Sequence, residues 1–122
     1  MIIGAGGFGR EVLWTINDCN KIFKQYDVVG FVDDEPSLKN SIIHNLPILG
    51  NIDWLLSSPP IGVEFVISNG DPKIRKRIIE RLKHLHFSYP IIKHPSVHWA
   101  DSATVGKGTI IQAGSIISTD VS

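Results

Sequence analysis

Apolar residues along this chain fall in short runs, punctuated by glycine, proline and acidic residues. Met1-Ile2-Ile3 leads into Gly4-Ala5-Gly6-Gly7-Phe8-Gly9, and Val12, Leu13, Ile16 and Cys19 then recur at helical spacing to about Asn20. This predicts strand, glycine turn and helix. Tyr26-Asp27-Val28-Val29-Gly30-Phe31-Val32 is β-branched and nearly continuously apolar, as expected of a buried parallel strand. Ser37 to Asn45 is polar and predicts a loop. Leu46-Pro47-Ile48-Leu49-Gly50 predicts a short strand whose proline confines it to an edge or a first position. Residues 51–56 predict a short helix capped by Asn51 and broken by Pro59-Pro60, and Val63-Glu64-Phe65-Val66-Ile67 predicts the next strand. Asp71 then suits an N-cap and Pro72 the first helical position. Ile74, Ile78, Leu82 and Leu85 share one face of that helix, and Lys73, Arg75, Lys76, Arg77, Arg81 and Lys83 take the other, which reads as a solvated face. Tyr89-Pro90-Ile91-Ile92-Lys93 predicts a last strand leaving the unit. The order of elements is that of an α/β fold, a Rossmann-like parallel sheet with flanking helices.

From His94-Pro95 onward the period changes. Trp99, Val105, Ile111 and Ile117 lie six residues apart, and Val97, Ala103, Thr109 and Ser115 stand two residues before each, with Val121 continuing that second column. Gly106 follows Val105, as a tight corner requires. A period of six with an aliphatic and a small column is the signature of a parallel β-helix; chance spacing in a β-hairpin is the alternative. About one and a half turns are visible, too few to be stable without further coils to stack on. Met1 almost inside the first strand, and a tail with no terminating signal, suggest a piece of a longer protein.

Composition narrows the function classes. With 122 residues the chain is one ordinary domain, or one small domain plus a fragment, and a 43% hydrophobic share is enough for a real core. Twelve basic and twelve acidic side chains cancel, so charge points neither to nucleic acid nor to an anionic membrane, and neither partner is expected. A single cysteine, Cys19, precludes an internal disulfide and suits a reducing compartment. No apolar run approaches a transmembrane length and the start is not a signal peptide, so a cytoplasmic location is the expectation.

The candidate chemistry gathers at the glycine turn. In Gly4-x-Gly6-x-x-Gly9, Gly4 permits the tight turn, Gly6 lets a phosphate approach the backbone and Gly9 lets the helix pack closely on the strand. Such a turn presents free N–H groups and the positive end of a helix dipole to an anion. A purely structural turn is the competing reading. Asp33-Asp34 ends the next apolar run, where ligands of open α/β sheets bind, and an acid there accepts hydrogen bonds from a ribose or a base. A polar turn over residues 33–36 is the alternative. Arg75 lies in the first turn of its helix, at the carboxyl side of the preceding strand, where phosphates would sit. His84-x-His86 and the His94 and His98 pair lack the partners that a zinc site needs, so no metal is expected.

The segments Gly4-Ala5-Gly6-Gly7-Phe8-Gly9-Arg10-Glu11-Val12, Gly30-Phe31-Val32-Asp33-Asp34, Gly70-Asp71-Pro72-Lys73-Ile74-Arg75 and the hexads from Val97 together resemble the bacterial sugar acetyltransferases of the PglD/NeuD type. The resemblance covers the whole chain. It implies a nucleotide-sugar-binding domain over residues 1–93 and the beginning of a hexapeptide-repeat, left-handed β-helix over 94–122. It implies a UDP- or GDP-linked sugar, or sialic acid, as partner, a homotrimeric parent, and N- or O-acetyl transfer in surface-glycan biosynthesis. Carried onto this sequence, Gly6, Gly7 and Phe8 would meet the pyrophosphate or sugar. Asp33 and Asp34 would meet the base or ribose, and Gly70 and Arg75 would line the same crevice. The family's catalytic histidine is expected beyond Ser122, since none of His44, His84, His86, His94 or His98 stands at its place. Acetyl-CoA, the parent's cosubstrate, is expected to bind outside this chain. Ser68-Asn69 before Gly70 departs from the family's small-plus-aliphatic pair. Two other classes stay open: an NAD(P)-binding oxidoreductase fragment, which fits the glycine turn and Asp33 but not the hexads, and a non-catalytic module that senses a nucleotide-sugar.

Overall fold

A computed structural model describes residues 1–97 and 107–112 in full, and the backbone of 115–117. Five strands make the main sheet: β1 (Ile2–Ile3), β2 (Phe31–Val32), β3 (Ile42–Ile43), β4 (Leu46–Gly50) and β5 (Val66–Ile67). Their order is β3-β4-β2-β1-β5, with β4, β2, β1 and β5 parallel and β3 antiparallel at one edge. Three helices follow the strands: α1 (Gly7–Ile22), α2 (Ile52–Ser57) and α3 (Pro72–Leu82). The α/β fold with flanking helices read from the sequence is therefore observed, its sheet mostly rather than wholly parallel.

Register explains the two layers. Ile2 pairs with Phe31 and Val66, and Ile3 with Val32 and Ile67. Successive side chains of a strand point to opposite faces, so each rank crosses the sheet on one side. Ile2, Phe31 and Val66 meet Val12, Leu13 and Ile16 of α1. Ile3, Val32 and Ile67 meet Leu55 of α2 and Leu82 of α3 on the other face. The apolar periodicity of α1 thus names its buried face, and the caps assign the other helices. Asn51 Oδ1 accepts from Trp54 N–H at 2.9 Å, and Asp71 Oδ1 accepts from Lys73 N–H at 2.9 Å. Each such cap contributes about 1 kcal/mol.

Three elements differ from expectation for identifiable reasons. The run over residues 26–32 is strand only at Phe31–Val32. Its beginning is held by Asn20, whose Oδ1 accepts from the Gln25 and Tyr26 N–H groups and whose Nδ2 donates to Tyr26 O. The polar stretch before Leu46 contains β3, which pairs with β4 through a two-residue loop, His44-Asn45. Both loop residues take positive φ (48° and 65°), which a type I′ hairpin requires. β4 is consequently interior, and Pro47 is tolerated because it precedes Ile48, the first β4 residue paired with β2.

β6 (Ile92–Lys93) leaves the main sheet as expected. It pairs in parallel with β7 (Ile110–Gln112), which pairs antiparallel with β8 (Ser115–Ile117). Ile92 and Ile110 join the cluster around α1, and polar contacts fasten the join. Cys19 Sγ donates to Lys93 O at 3.1 Å, Gln112 Nε2 to Thr15 Oγ1 at 3.3 Å, and His94 Nε2 lies 3.0 Å from Asp18 Oδ2. The β-helix coil expected from the six-residue period is not what the described residues show. Strands of successive coils stack in parallel, as β6 and β7 do, whereas β7 and β8 are antiparallel neighbours. Trp99, Ala103, Val105, Gly106 and Val121 of the hexad columns lie outside the described residues.

The packing of α1 on β1 sets a stringent test. A Cβ on Gly9 would stand 2.1 Å from Gly4 O, whereas a Cβ on Gly6 would meet nothing within 4 Å. Gly9→Ala is expected to cost about 3 kcal/mol or more in urea unfolding, and Gly6→Ala less than about 1 kcal/mol. Asp18 supplies a second test. The hydrogen bond from His94 holds its carboxyl below the ordinary aspartate range. Its contribution is therefore present above the ordinary aspartate pKa and is lost as pH falls through the depressed value. Asp18→Asn is expected to flatten the acid side of the stability–pH curve; an unchanged curve would show that the join carries no such contact.

Candidate functional site

The strand order reverses between β1 and β5: the chain moves outward from β1 through β2 to β4, then returns to β5 on β1's other side. Ligands of open α/β sheets bind outside the carboxyl ends of the strands at such a reversal. Here the loops after β1 and β5 touch. Ser68 Oγ donates to Gly4 O at 2.7 Å, with Ile3 O at 3.0 Å sharing the proton. Gly4 takes φ +108°, and a Cβ there would stand 2.8 Å from Ser68 Oγ. The turn is thus closed on its inner side by a buried hydroxyl.

The outer side is open. α1 begins at Gly7 with Gly6 as N-cap, no side chain caps it, and no acidic residue stands in its first turn. Nothing lies within 4 Å of a Cβ built at Gly6 or Gly7. The turn is therefore open where side chains of Gly6 and Gly7 would stand, and the helix start is left uncapped, an arrangement that can accept a phosphate. The Phe8 ring packs against the α1 cluster.

The acidic pair is tied into this frame. Asp33 Oδ2 accepts from Ala5 N–H and Oδ1 from Glu35 N–H, both at 2.8 Å. Its carboxylate holds the glycine turn against the end of β2. Asp34 Oδ1 accepts from Ile52 N–H at 2.8 Å, at the start of α2, and Oδ2 lies 3.4 Å from Arg81 Nη1. Arg81 also pairs with Asp53 at 3.0 Å. Asp33 and Asp34 stand between two clefts. One, of about 310 Å³, is lined by Gly4, Asn69, Arg77 and Arg81 together with the acids. The other, of about 440 Å³, lies towards β4 and is lined by Lys39, Asn51 and Trp54. The indole of Trp54 is fixed against the backbone of Gly50, where a Cβ would stand 2.8 Å from its ring.

Gly70 is exposed in the β5–α3 loop and lines neither cleft, while Arg75 lies beneath that loop and is only 3% exposed. Its Nη1 donates to Ile67 O and to Asn69 O. Burial lowers its pKa to about 10, so it stays charged at neutral pH. Arg77, Arg81, Asn69 and Trp54 escaped the sequence reading. The signal for the arginines was present: Arg77 and Arg81 stand three residues beyond Ile74 and Ile78, beside the apolar stripe of α3 rather than opposite it. Burial raises the thiol pKa of the single cysteine, Cys19. Among the described residues no three His, Cys, Asp or Glu side chains come together to hold a metal, and no helix is long and apolar enough to cross a membrane.

The sequence matches the family described as the PglD N-terminal domain over residues 1–82. The chain belongs to the PglD N-terminal domain family. It is 35% identical to a GDP-perosamine N-acetyltransferase of Escherichia coli O157:H7, over 98% of this chain and 53% of that protein. Its fold is similar to the acetyltransferase domain of PglB from Neisseria gonorrhoeae in complex with acetyl coenzyme A (TM-score 0.74, 28% identity, 89% of this chain and 50% of that one). It is also similar to PerB from Caulobacter crescentus in complex with CoA and GDP-perosamine (TM-score 0.75, 24% identity, 93% and 50%), a likeness of fold. This PglD-family chain thus spans about half the length of the relatives it matches.

One expectation is overturned by these structures. Acetyl-CoA is expected to bind outside this chain. A relative in complex with acetyl coenzyme A aligns with 89% of the chain, so that exclusion does not hold.

The tie between Asp33 and the glycine turn is testable without any ligand. Asp33→Asn replaces one carboxylate oxygen with an NH2, leaves one of the two backbone donors without an acceptor, and is expected to lower stability by about 1–3 kcal/mol in urea unfolding. A wild-type midpoint would show that the carboxylate does not hold the turn.

Proposed function

We propose that this chain is the nucleotide-sugar-binding portion of an acetyl-CoA-dependent sugar N-acetyltransferase of bacterial surface-glycan biosynthesis. The observation that carries the proposal is the open, uncapped start of α1 at the β1/β5 reversal, flanked by clefts that hold both acidic and basic side chains. In this reading the N–H groups at Gly6, Gly7 and Phe8 meet the pyrophosphate. Asp33 and Asp34 offer their remaining lone pairs to the base or ribose, and Gly70 borders the sugar. A GDP-linked amino sugar is the first choice of partner, following the Escherichia coli relative's substrate; a UDP-linked sugar and sialic acid are the alternatives. Acetyl-CoA supplies the acetyl group. The described residues bind and orient the acceptor, for no histidine among them lines either cleft. His94 and Asp18 form a histidine–acid pair, but Asp18 is 11 residues along α1 from Gly7, roughly 16 Å from the glycine turn.

The finer organisation belongs to the same proposal. Residues 1–93 form the nucleotide-sugar domain, and 94–122 begin a left-handed β-helix that is completed by further coils in a trimeric whole protein. The six-residue period supports this. The NAD-dependent alternative is disfavoured by the match to the PglD N-terminal domain over residues 1–82.

Calorimetric titration with GDP, UDP, CMP and NAD tests the proposal. GDP or UDP is expected to give heat, and Gly6→Val to lose it by filling the open side of the turn. CMP alone would redirect the reading to a sialic acid pathway. Heat with NAD and none with any other nucleotide would overturn it.

A further inference from the structure

The guanidinium of Arg75 is the most unusual group in the described structure. It is a cation 97% removed from solvent, yet among the described residues no carboxylate pairs with it, and its Nε and Nη2 have no hydrogen-bond partner there. A buried charge without a counter-ion is costly and calls for a physical reason. The sheet provides one. β5 is an edge strand, and Val66 N–H and Ser68 N–H donate to Met1 O and Ile3 O of β1. Peptide groups alternate along a strand, so those of Ile67 face away from β1, where another strand would lie. Lower on β5 that place is taken by the segment at Ser88, which accepts from Phe65 N–H at 2.9 Å. At the carboxyl end no strand continues, and Ile67 O is met instead by Arg75 Nη1, which also reaches Asn69 O at 3.1 Å.

We propose that Arg75 is a positioning residue of the crevice: its buried guanidinium stands in for the missing strand, clamps the carbonyls of Ile67 and Asn69, and so fixes the β5–α3 loop that carries Asn69 into the cleft beside Gly4, Arg77 and Arg81. It acts through the loop and does not touch the ligand. Part of this inference rests on the nucleotide-sugar reading above; the clamp itself does not. The two carbonyls face the guanidinium from Ile67 and Asn69, while Asp71 N–H donates to Asn69 Oδ1 at 2.9 Å from the helix side. Asn69 is thus held through both its backbone and its side chain. One nitrogen, Nη1, reaches both acceptors, and the rigid planar guanidinium fixes the direction of its two N–H bonds, whereas a lysine ammonium at the end of a flexible stem holds them less well.

The test uses the full chain and two readouts. Amide hydrogen exchange of residues 69–71 in the absence of ligand is expected to quicken at least about tenfold in Arg75→Met, with residues 12–16 of α1 unchanged. Arg75→Lys should fall between wild type and Arg75→Met, and it carries the comparison if Arg75→Met does not fold. In GDP titrations, Arg75→Met and Asn69→Ala are each expected to weaken binding at least about tenfold, and the double variant no further than the weaker single. Wild-type loop exchange in a folded Arg75→Met or Arg75→Lys would overturn the clamp. Losses that multiply in the double variant would instead make Arg75 a direct ligand contact and overturn the positioning role. If the wild-type chain binds no nucleotide, the functional reading fails while the exchange experiment still decides the clamp.

Discussion

The close approach of α1 to the turn that follows β1 is the constraint on which the rest depends. Gly9 lies so near Gly4 O that no side chain fits between them, and Ser68 closes the same turn from the β5 side. This contact fixes where α1 starts. The start of α1 in turn fixes where its free N–H groups point. It also sets the height at which Val12, Leu13 and Ile16 meet the ranks of β1, β2 and β5. A turn relaxed by a fraction of an ångström would move the helix end and the core together, because packed interiors transmit displacement rather than absorb it.

Charged groups around the crevice serve the frame before they serve a ligand. Asp33 joins the glycine turn to the end of β2, Asp34 joins the start of α2 to α3 through Arg81, and Arg75 holds the end of β5. Each stands at a strand's carboxyl end, where the regular ladder stops and backbone groups need other partners. The same interruptions leave room for a ligand. A site built this way is rigid on its inner side and open on its outer side, which suits binding and orientation of an acceptor.

Legibility varied with the range of the interaction. The glycine turn, the Asn51 and Asp71 caps and the apolar face of α1 were readable, since spacing and cap chemistry act within a turn or two of chain. β3 was missed because its hairpin loop, His44-Asn45, carries no glycine to announce positive φ. The strand over residues 26–32 was drawn too long because β propensity could not reveal that Asn20 would hold its beginning. The basic face of α3, Arg75 excepted, reads as solvated in the sequence, although Arg77 and Arg81 turn towards the cleft. A count of charges along a helix does not say which carbonyls or carboxylates wait beside it.

By itself, then, the sequence determined the α/β alternation, the position of the phosphate-type turn and the family resemblance that the PglD N-terminal domain match bears out. Tertiary structure decided the strand order, the place of the reversal, the engagement of Asp33 and Asp34, the burial of Arg75 and the hairpin pairing of β7 with β8. The division has one physical cause. Periodicity and capping are set by neighbours a few residues away, whereas the Ala5–Asp33 and Asp34–Arg81 contacts join residues 28 and 47 positions apart. Such contacts exist only after the sheet has assembled, and nothing in either local segment specifies them.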